Sequence, residues 1–455
     1  MIEDTPLVTV YVPCKNYGKY LAQCLGSVTA QLYTRWELIL FDEASDDETA
    51  IIFNDYKRRF PNRVRVIRNE TALGLQAVAN MALGRAKGKY MMRLDADDWL
   101  DEGALLLMVS KLEANLKIGL VYGNYFYTDS AGQVLGMERR YRLGIEDLAG
   151  QLPPHGACTM FRVRSLKAVG GYSEDVNAQD GWELWFKLMN RVGAASLEAP
   201  LFYYRQHDKS ISRDNDRLLK ARSRIFARLG QSLEGGYSPS CLAVIPVRES
   251  YPGFDGVPYR EYEGRTLLER AISSAGEAAG VSSILVSSKS QSVLDFAAEL
   301  EADGKVPKHA RMLREVPSIG SDKLSMRSIM LQAGEFHLDS SGTYPDVVAF
   351  LSLHAVRRCG EHIEKALHVL RITESDSVVS VQEEREPVFS HGTDGLQLLN
   401  PGRFHDLAYD RERLYAFNGS IVATWWEVLQ HETLLGQKIG YIEMSAKDSL
   451  QIKNL

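Results

Sequence analysis

Apolar and polar positions alternate along the chain in blocks that predict strands and helices in turn. Val8 to Pro13 (VTVYVP) is a short apolar, β-branched run and predicts a buried strand. Asn16, Tyr17 and Gly18 interrupt it, and Tyr20 to Gln31 then carries apolar residues at helical spacing. Glu37 to Phe41 (ELILF) predicts a second strand that ends directly in Asp42. The polar stretch Ser45-Asp46-Asp47-Glu48-Thr49 is good chemistry for a helix start. Val64 to Arg68 predicts a third strand, Leu75 to Lys87 a helix, and Tyr90 to Leu94 a fourth strand ending in Asp95. Strand and helix in alternation at this spacing predict a parallel sheet with crossover helices. Ligands bind at the carboxyl ends of strands in such sheets, where Asp42 and Asp95 both sit.

The stretch Leu229 to Ser240 (LGQSLEGGYSPS), rich in Gly, Ser and Pro, predicts a linker, and the pattern then restarts. Leu242 to Pro246, Ser283 to Ser287, Asp346 to Leu353 and Ser377 to Val381 predict strands; Leu267 to Ala275 and Glu361 to Leu370 predict helices. The expected organisation is therefore a domain over 1–230, a linker over 231–240 and a second α/β domain over 241–455. No short-period repeat or low-complexity tract is present.

Composition narrows the function classes. The 455 residues are 45% apolar and 25% charged, as in an ordinary soluble globular protein. Lys and Arg total 53 against 59 Asp and Glu, so there is no general field for nucleic acid or an anionic membrane, and phosphate must be held locally. The five cysteines are scattered, with no CxxC or Cys/His cluster, and read as thiols in a reducing compartment. The N-terminus lacks signal-peptide chemistry and no apolar stretch is long enough to span a bilayer. A cytoplasmic location is expected, with action at the inner membrane surface left open.

The run Asp95-Ala96-Asp97-Asp98 is the first chemical candidate. Aspartates one residue apart on an extended turn can reach one hard divalent cation, Mg²⁺ or Mn²⁺, completed by substrate phosphates. The plain alternative for this run alone is a solvated acidic turn.

Its surroundings carry a resemblance. Val8 to Pro13 with Lys15-Asn16-Tyr17, then Phe41-Asp42-Glu43-Ala44-Ser45-Asp46-Asp47-Glu48-Thr49, then Gly88-Lys89-Tyr90 into Asp95-Ala96-Asp97-Asp98, resembles the family 2 glycosyltransferases of GT-A fold. The likeness continues through His155-Gly156-Ala157, Gly170-Gly171-Tyr172, Ala178-Gln179-Asp180 with Glu183-Leu184-Trp185, and Tyr204-Arg205-Gln206-His207. It implies that Asp42 and Glu43 lie at the base and ribose of a nucleotide-sugar donor; Glu43 stands where the family usually has Asp. Pro13 and its neighbours, Asn16 among them, are expected to line the same pocket. The resemblance makes Asp97 the metal ligand, with Asp95 near the ribose or metal and Asp98 in support. Asp180 is implied as the base that takes the acceptor hydroxyl's proton. One extra residue precedes the Leu-Trp pair, so Glu183 is the alternative base, and a helix N-cap is the plain reading of Asp180. His207 is a ligand of the metal or of the donor's phosphates, or a structural histidine. Arg205 is expected to offset phosphate charge. Trp182 and Trp185 are candidates for stacking on sugar, with core packing the plainer role of Trp185.

The second half resembles the acylneuraminate-type cytidylyltransferases, through Ala243-Val244-Ile245-Pro246-Val247-Arg248, Leu351 to Arg358, Ser375 to Val381, Asn418-Gly419-Ser420 and Ile442-Glu443-Met444. Arg248, Arg358 and Asn418 are the implied nucleotide-binding candidates. The departures fall on the chemistry. Glu249-Ser250-Tyr251-Pro252-Gly253 replaces a Gly-Ser-Lys-Gly phosphate cradle, and Leu353-His354-Ala355-Val356 a Pro-Thr-Ser-Pro segment. Gln451 and Lys453 replace two metal-holding aspartates. The expectation is a domain that keeps the fold without the reaction.

The resulting fold expectation is α/β, with two nucleotide-binding Rossmann-like domains: a GT-A glycosyltransferase fold followed by a cytidylyltransferase-like α/β domain. The expected function is transfer of a sugar from a nucleoside-diphosphate sugar, a UDP-sugar foremost, to a glycan or lipid-linked acceptor in bacterial surface-glycan synthesis. The transfer is expected to invert configuration and to need a divalent cation, Mn or Mg. Nucleic acid is not an expected partner, and a homo-oligomer would form through the second domain. Two rival readings remain: an enzyme that also makes a CMP-activated acidic sugar from CTP, and a non-catalytic binding or scaffold protein.

Overall fold

A computed structural model describes residues 5–139, 156–175, 184–185, 187–188, 191–207, 215–232, 238–250, 255–304, 311–315, 325–393, 395–399, 407, 410–411, 413–431 and 433–452. The chain divides into two compact units, one running to Ala221 and joined by Arg385–Glu412, the other comprising Arg222–Glu384 and Arg413–Leu455. Residues 233–237 of the expected linker lie outside the described residues.

The first unit contains β1 (Val8–Cys14), α1 (Gly18–Thr29), β2 (Trp36–Glu43), α2 (Thr49–Arg59), β3 (Val64–Asn69), α3 (Leu75–Arg85), β4 (Tyr90–Arg93), β5 (Trp99–Leu100), α4 (Ala104–Ala114), β6 (Ile118–Thr128), β7 (Val134–Glu138), β8 (Met160–Arg162), α5 (Val163–Ala168) and β9 (Gly193–Arg205). Among the described residues these form a nine-stranded mixed sheet in the order β3-β2-β1-β4-β8-β6-β9-β5, with β7 beside β6. The β3-β2-β1-β4 portion is parallel, and β8 runs antiparallel to both β4 and β6.

Its first two strands are mostly apolar because both sheet faces are covered; the exceptions near their starts, Thr9 and Glu37, are buried and hydrogen-bonded to one another. Val8, Val10 and Val12 of β1 pack with Leu21, Cys24 and Leu25 of α1 and Met108 of α4. Tyr11, between them, faces the opposite layer with Ile39, Phe41, Val78 and Ala82. Each such buried side chain contributes on the order of 2 kcal/mol from removal of apolar surface. The segment Arg385–Glu412 is tied into this unit: the Met137 N–H donates to Asp410 Oδ1 at 2.7 Å, and Arg385 meets Glu138 at 3.2 Å.

The second unit holds a seven-stranded mixed sheet among the described residues. Its order is Arg311–Glu315, Val281–Ser287, Cys241–Pro246, Val347–Leu351, Leu414–Trp425, Ser377–Glu384, Ile439–Glu443. The first four are mutually parallel and Leu414–Trp425 is antiparallel to both neighbours. Helices Leu267–Gly276, Gln291–Ala302 and Met326–Ser341 each start at a Thr or Ser whose hydroxyl accepts a first-turn N–H, a cap worth about 1 kcal/mol. Leu242, Val244 and Val348 pack against Met330, Ala333 and Trp426 on one face. Gly334 lies so close to the Trp426 ring that a Cβ there would fall 2.1 Å from it.

Among the described residues no helix is long and apolar enough to cross a membrane. Cys14, Cys24, Cys158 and Cys241 are buried free thiols and Cys359 is half-buried.

Candidate functional site

The carboxyl ends of β1, β2 and β4 gather the sequence candidates. After β1, with Pro13 buried at its end, the chain turns through Asn16 in the left-handed region (φ 60°). The Asn16 N–H donates to Ser45 Oγ (3.1 Å), and Asn16 Oδ1 accepts from the Asp46 N–H (3.0 Å). Asp47 Oδ2 accepts the Gly18 N–H at 2.8 Å. These bonds tie the β1–α1 loop to the β2–α2 loop, so the polar run at 45–49 locks two loops together as well as opening α2.

Asp42 sits at the end of β2 and is 1% exposed. Its Oδ1 accepts the Ser45 N–H at 2.8 Å. Its Oδ2 is buried without a hydrogen-bond partner, with Arg68 Nε at 3.5 Å. Arg68 was not singled out from sequence. The signal for it is register, because Asp42 pairs directly with Arg68 across β2 and β3. Glu43, next in the chain, has a different environment. Its carboxylate accepts from Asn69 Nδ2 and from the backbone N–H groups of Leu73 (2.7 Å) and Gly74 (3.1 Å), and so holds the loop that leads into α3.

The acidic run after β4 divides into three roles. Asp95 lies against Arg93, with Oδ1 2.8 Å from Nε. Asp97 Oδ2 meets His207 Nε2 at 2.8 Å. Asp98 is 1% exposed; its Oδ1 accepts the Arg205 N–H at 2.9 Å and its Oδ2 has no hydrogen-bond partner. Burial, reinforced by Asp97 and Asp95, pushes the Asp98 carboxyl well above the usual carboxylate range, against the pull of Arg205. Tyr17 and Tyr20 lie against the His207 ring, at 5.6 and 5.7 Å between centroids. Burial and then Asp97 and Asp95 raise the Tyr17 phenol, so it stays neutral beside the carboxylates.

Arg205 is 2% exposed and acts as an internal tie. Its Nε donates to the Asp97 carbonyl (2.9 Å), Nη1 to the Ser130 carbonyl (2.9 Å) and Nη2 to Gln23 Oε1 (2.6 Å). The guanidinium lies over the rings of Tyr20 and Trp99. Each guanidinium nitrogen donates within the unit, so Arg205 fixes the backbone that presents Asp97 and Asp98.

Among the described residues no group of three or more His, Cys, Asp and Glu side chains converges on a point. Asp97 and His207 do converge, and Mg²⁺ or Mn²⁺ characteristically takes one or two protein ligands plus substrate phosphates and waters. The donor set therefore fits such a cation completed by a diphosphate. Asp180, Trp182 and Glu183 lie outside the described residues. Trp185 is core, 6% exposed and edge-on to Tyr122.

In the second unit Arg248 is exposed just past the first strand. Asn418 Oδ1 accepts from Ser380 Oγ (2.6 Å) and the Ser420 N–H (3.1 Å), while Nδ2 donates to Ser449 Oγ (2.9 Å). Gln451 bridges to Ala355 and donates to the Asn418 carbonyl. Arg358 is buried, with carbonyl and hydroxyl partners. Lys453 lies outside the described residues.

Residues 9–170 match the family described as Glycosyl transferase family 2. The chain is similar to a chondroitin synthase of Escherichia coli, 27% identical over 188 residues, 41% of this chain and 27% of the relative. It is also similar to the glycosyltransferase GlyG of Streptococcus pneumoniae, 32% identical over 146 residues, 32% of this chain and 48% of that protein. The chain thus spans less than half the length of these relatives. A solved mannosyltransferase of Pyrobaculum calidifontis, in complex with GDP-Man and Mn²⁺, is 22% identical, covering 49% of this chain and 64% of that one with a TM-score of 0.41.

Proposed function

We propose that the first unit transfers a sugar from a nucleoside-diphosphate sugar, a UDP-sugar foremost, to a glycan or lipid-linked acceptor in bacterial polysaccharide synthesis. The family match over residues 9–170 and relatives named as chondroitin synthase and poly-beta-1,6-N-acetyl-D-glucosamine synthase support this reading. The observation that carries it is the placement of the buried Asp42 carboxylate and the Asp97–His207 pair at the ends of β2 and β4. These strands flank β1, so with a strand spacing of about 4.8 Å their ends lie on the order of 10 Å apart, the scale of a nucleoside diphosphate.

In this reading Pro13, Asn16 and Asp42 hold the base and ribose, and Glu43 holds the loop at Leu73–Gly74 that borders them. Asp97 and His207 would hold a divalent cation, Mn or Mg, with Asp95 beside them, and such an ion would supply positive charge against that of a diphosphate leaving group. Arg205 keeps the acidic turn in place. Asp180, or Glu183, takes the proton of the acceptor hydroxyl, and displacement inverts the anomeric centre. The second unit keeps an α/β fold without nucleotidyl transfer, a reading supported by Glu249-Ser250-Tyr251-Pro252-Gly253 in place of a phosphate cradle and by Gln451 and Lys453 in place of two metal-holding aspartates. The enzyme works in the cytoplasm, at the membrane surface where the acceptor is lipid-linked.

The test is a screen of UDP- and GDP-sugars with the full chain, with and without Mn²⁺. Consumption or saturable binding of a nucleotide sugar that Asp97→Ala abolishes is the expected result. Failure of every nucleotide sugar to bind or be consumed overturns the proposal.

A further inference from the structure

The balanced total charge of the chain hides a segregation within the first unit. The carboxyl edge of its sheet carries Asp42, Glu43, Asp95, Asp97 and Asp98. The amino edge is the reverse. Pairing register aligns Val8 with Trp36 and Tyr90, Tyr90 with Arg162, and Ile118 with Gly193; Val64 pairs with Leu38, two positions further along. The residues that lead into these strands are Arg35 before β2, Arg63 before β3, Lys87 and Lys89 before β4, Lys117 before β6 and Arg191 before β9. Arg164 joins them just past the end of the antiparallel β8.

Every one of these side chains is exposed. Lys89 pairs with Glu113 at 2.6 Å, and among the described residues the others meet no carboxylate. Glu37, at the start of β2, is buried on Thr9 and Arg65. Two of the arginines are pinned by carbonyls, which fixes their place without offsetting their charge. Arg63 Nη1 donates to the Thr34 carbonyl (3.1 Å) with the guanidinium over the Trp36 ring, and Arg191 Nη1 donates to the Ala168 carbonyl (2.8 Å). Helix dipoles account for cations in last turns, such as Lys57, Arg58 and Arg59 of α2 or Lys111 of α4. They do not account for Arg35, Arg63 and Lys117, which lie in the loops beyond.

The row runs from β3 to β9 through β2, β1, β4, β8 and β6. At about 4.8 Å per strand it is roughly 29 Å wide, far broader than one small anion. Leu116, beside Lys117, is 65% exposed. An apolar side chain among cations has no use against a water-soluble polyanion but can enter the boundary between headgroups and acyl chains.

We infer that the amino edge of the first unit docks on an anionic lipid surface, with its cations on the phosphate headgroups and Leu116 among them. The strand β1 is seven residues long, so the acidic edge then stands about 20 Å from the lipid. That exceeds the screening length of about 8 Å at physiological salt, so the site's carboxylates are not repelled. The docking does not rest on the transferase reading.

Cosedimentation of the full chain with vesicles tests the inference, using phosphatidylcholine alone and an equimolar mixture with phosphatidylglycerol, each at low and high salt. Binding is expected to the mixed vesicles only and to be lost at high salt. Each cation near such a surface strengthens binding about fivefold, so Lys87→Gln combined with Lys117→Gln should weaken it about 25-fold. Neither side chain makes a hydrogen bond or ion pair among the described residues, so the melting temperature should not move. Leu116→Ser is expected to weaken binding as well, and Lys447→Gln in the second unit to leave it unchanged. Absence of binding to the mixed vesicles, equal binding to both kinds, or affinity unaltered by the double lysine variant overturns the inference. Preference for soluble inorganic polyphosphate over the vesicles also overturns it.

Discussion

Both units place their third, second, first and fourth strands side by side and parallel, yet the carboxyl ends of those strands carry different chemistry. In the first unit β2 ends in Asp42 and Glu43, and β4 is followed by Asp95, Asp97 and Asp98. In the second, Cys241–Pro246 is followed by Val247, Arg248 and Glu249, Val281–Ser287 by Ser288, and Val347–Leu351 by Ser352, whose carbonyl accepts from Arg358, while Arg311–Glu315 ends in Glu315. One edge is rich in carboxylates and the other mixes serines with both signs of charge. A parallel sheet supplies a concave edge with half-formed backbone partners and leaves the charge of that edge to a few residues past each strand.

Four substitutions break or sharpen this contrast. The largest effect is expected from Asp97→Asn, which keeps the shape of the acidic turn but removes its charge. Loss of several kcal/mol of charge stabilisation corresponds to a fall in kcat/KM on the order of 100-fold or more, and chelation of divalent cations should mimic it in the wild type. Turnover unaffected by both changes would break the acidic-edge reading. Asp42→Ala should act on donor binding, raising KM for the nucleotide sugar about tenfold with a smaller change in kcat, as expected for loss of a hydrogen bond to a charged group. An effect confined to kcat would move Asp42 from binding to chemistry. In the second unit Gly334→Ala forces a methyl against the Trp426 ring and should destabilise that unit by about 1–3 kcal/mol. Donor binding by the first unit should persist below the melting transition, as ligand titration would show.

The smallest effect concerns Lys365, buried in helix Gly360–Ile372. Burial lowers its ammonium from 10.5 to about 7, with Arg222 adding to the fall and Glu443 opposing it. Between about pH 7 and 10.5 the unfolded chain holds a proton here that the folded chain lacks. This side chain therefore adds stability as pH rises through that window and contributes no slope below it. Lys365→Met removes the slope, so the melting temperature of the variant minus that of the wild type should fall from pH 7 to pH 9.5. A constant difference would show that Lys365 titrates elsewhere.

Much of the frame was legible without coordinates. The runs at Val8 to Pro13, Glu37 to Phe41 and Tyr90 to Leu94 became β1, β2 and β4 within a residue or two, because a strand covered on both faces is largely apolar. The acidic residues directly after β2 and β4 were visible for the same reason, since the end of an apolar run marks the edge of the sheet. Individual partners were not legible. Glu43 reads like a twin of Asp42, but alternation along the strand turns it to the loop at Leu73–Gly74 while Asp42 meets the Ser45 N–H and Arg68. Arg205 reads as a phosphate ligand but is consumed by Asp97, Ser130 and Gln23. The grouping of Arg385–Glu412 with the first unit had no mark in composition or spacing.

By itself, then, the chain's pattern determined which segments are strands, how they alternate with helices and where acids meet the sheet edge, because burial is written locally in side-chain polarity. Tertiary structure alone decided which of those polar atoms are satisfied: His207 on Asp97, Arg93 on Asp95, and an unmatched donor on Arg358. A hydrogen bond needs two groups at a set distance and angle, and residues more than a hundred positions apart, as Asp97 and His207 are, acquire that relation only when the whole sheet has closed.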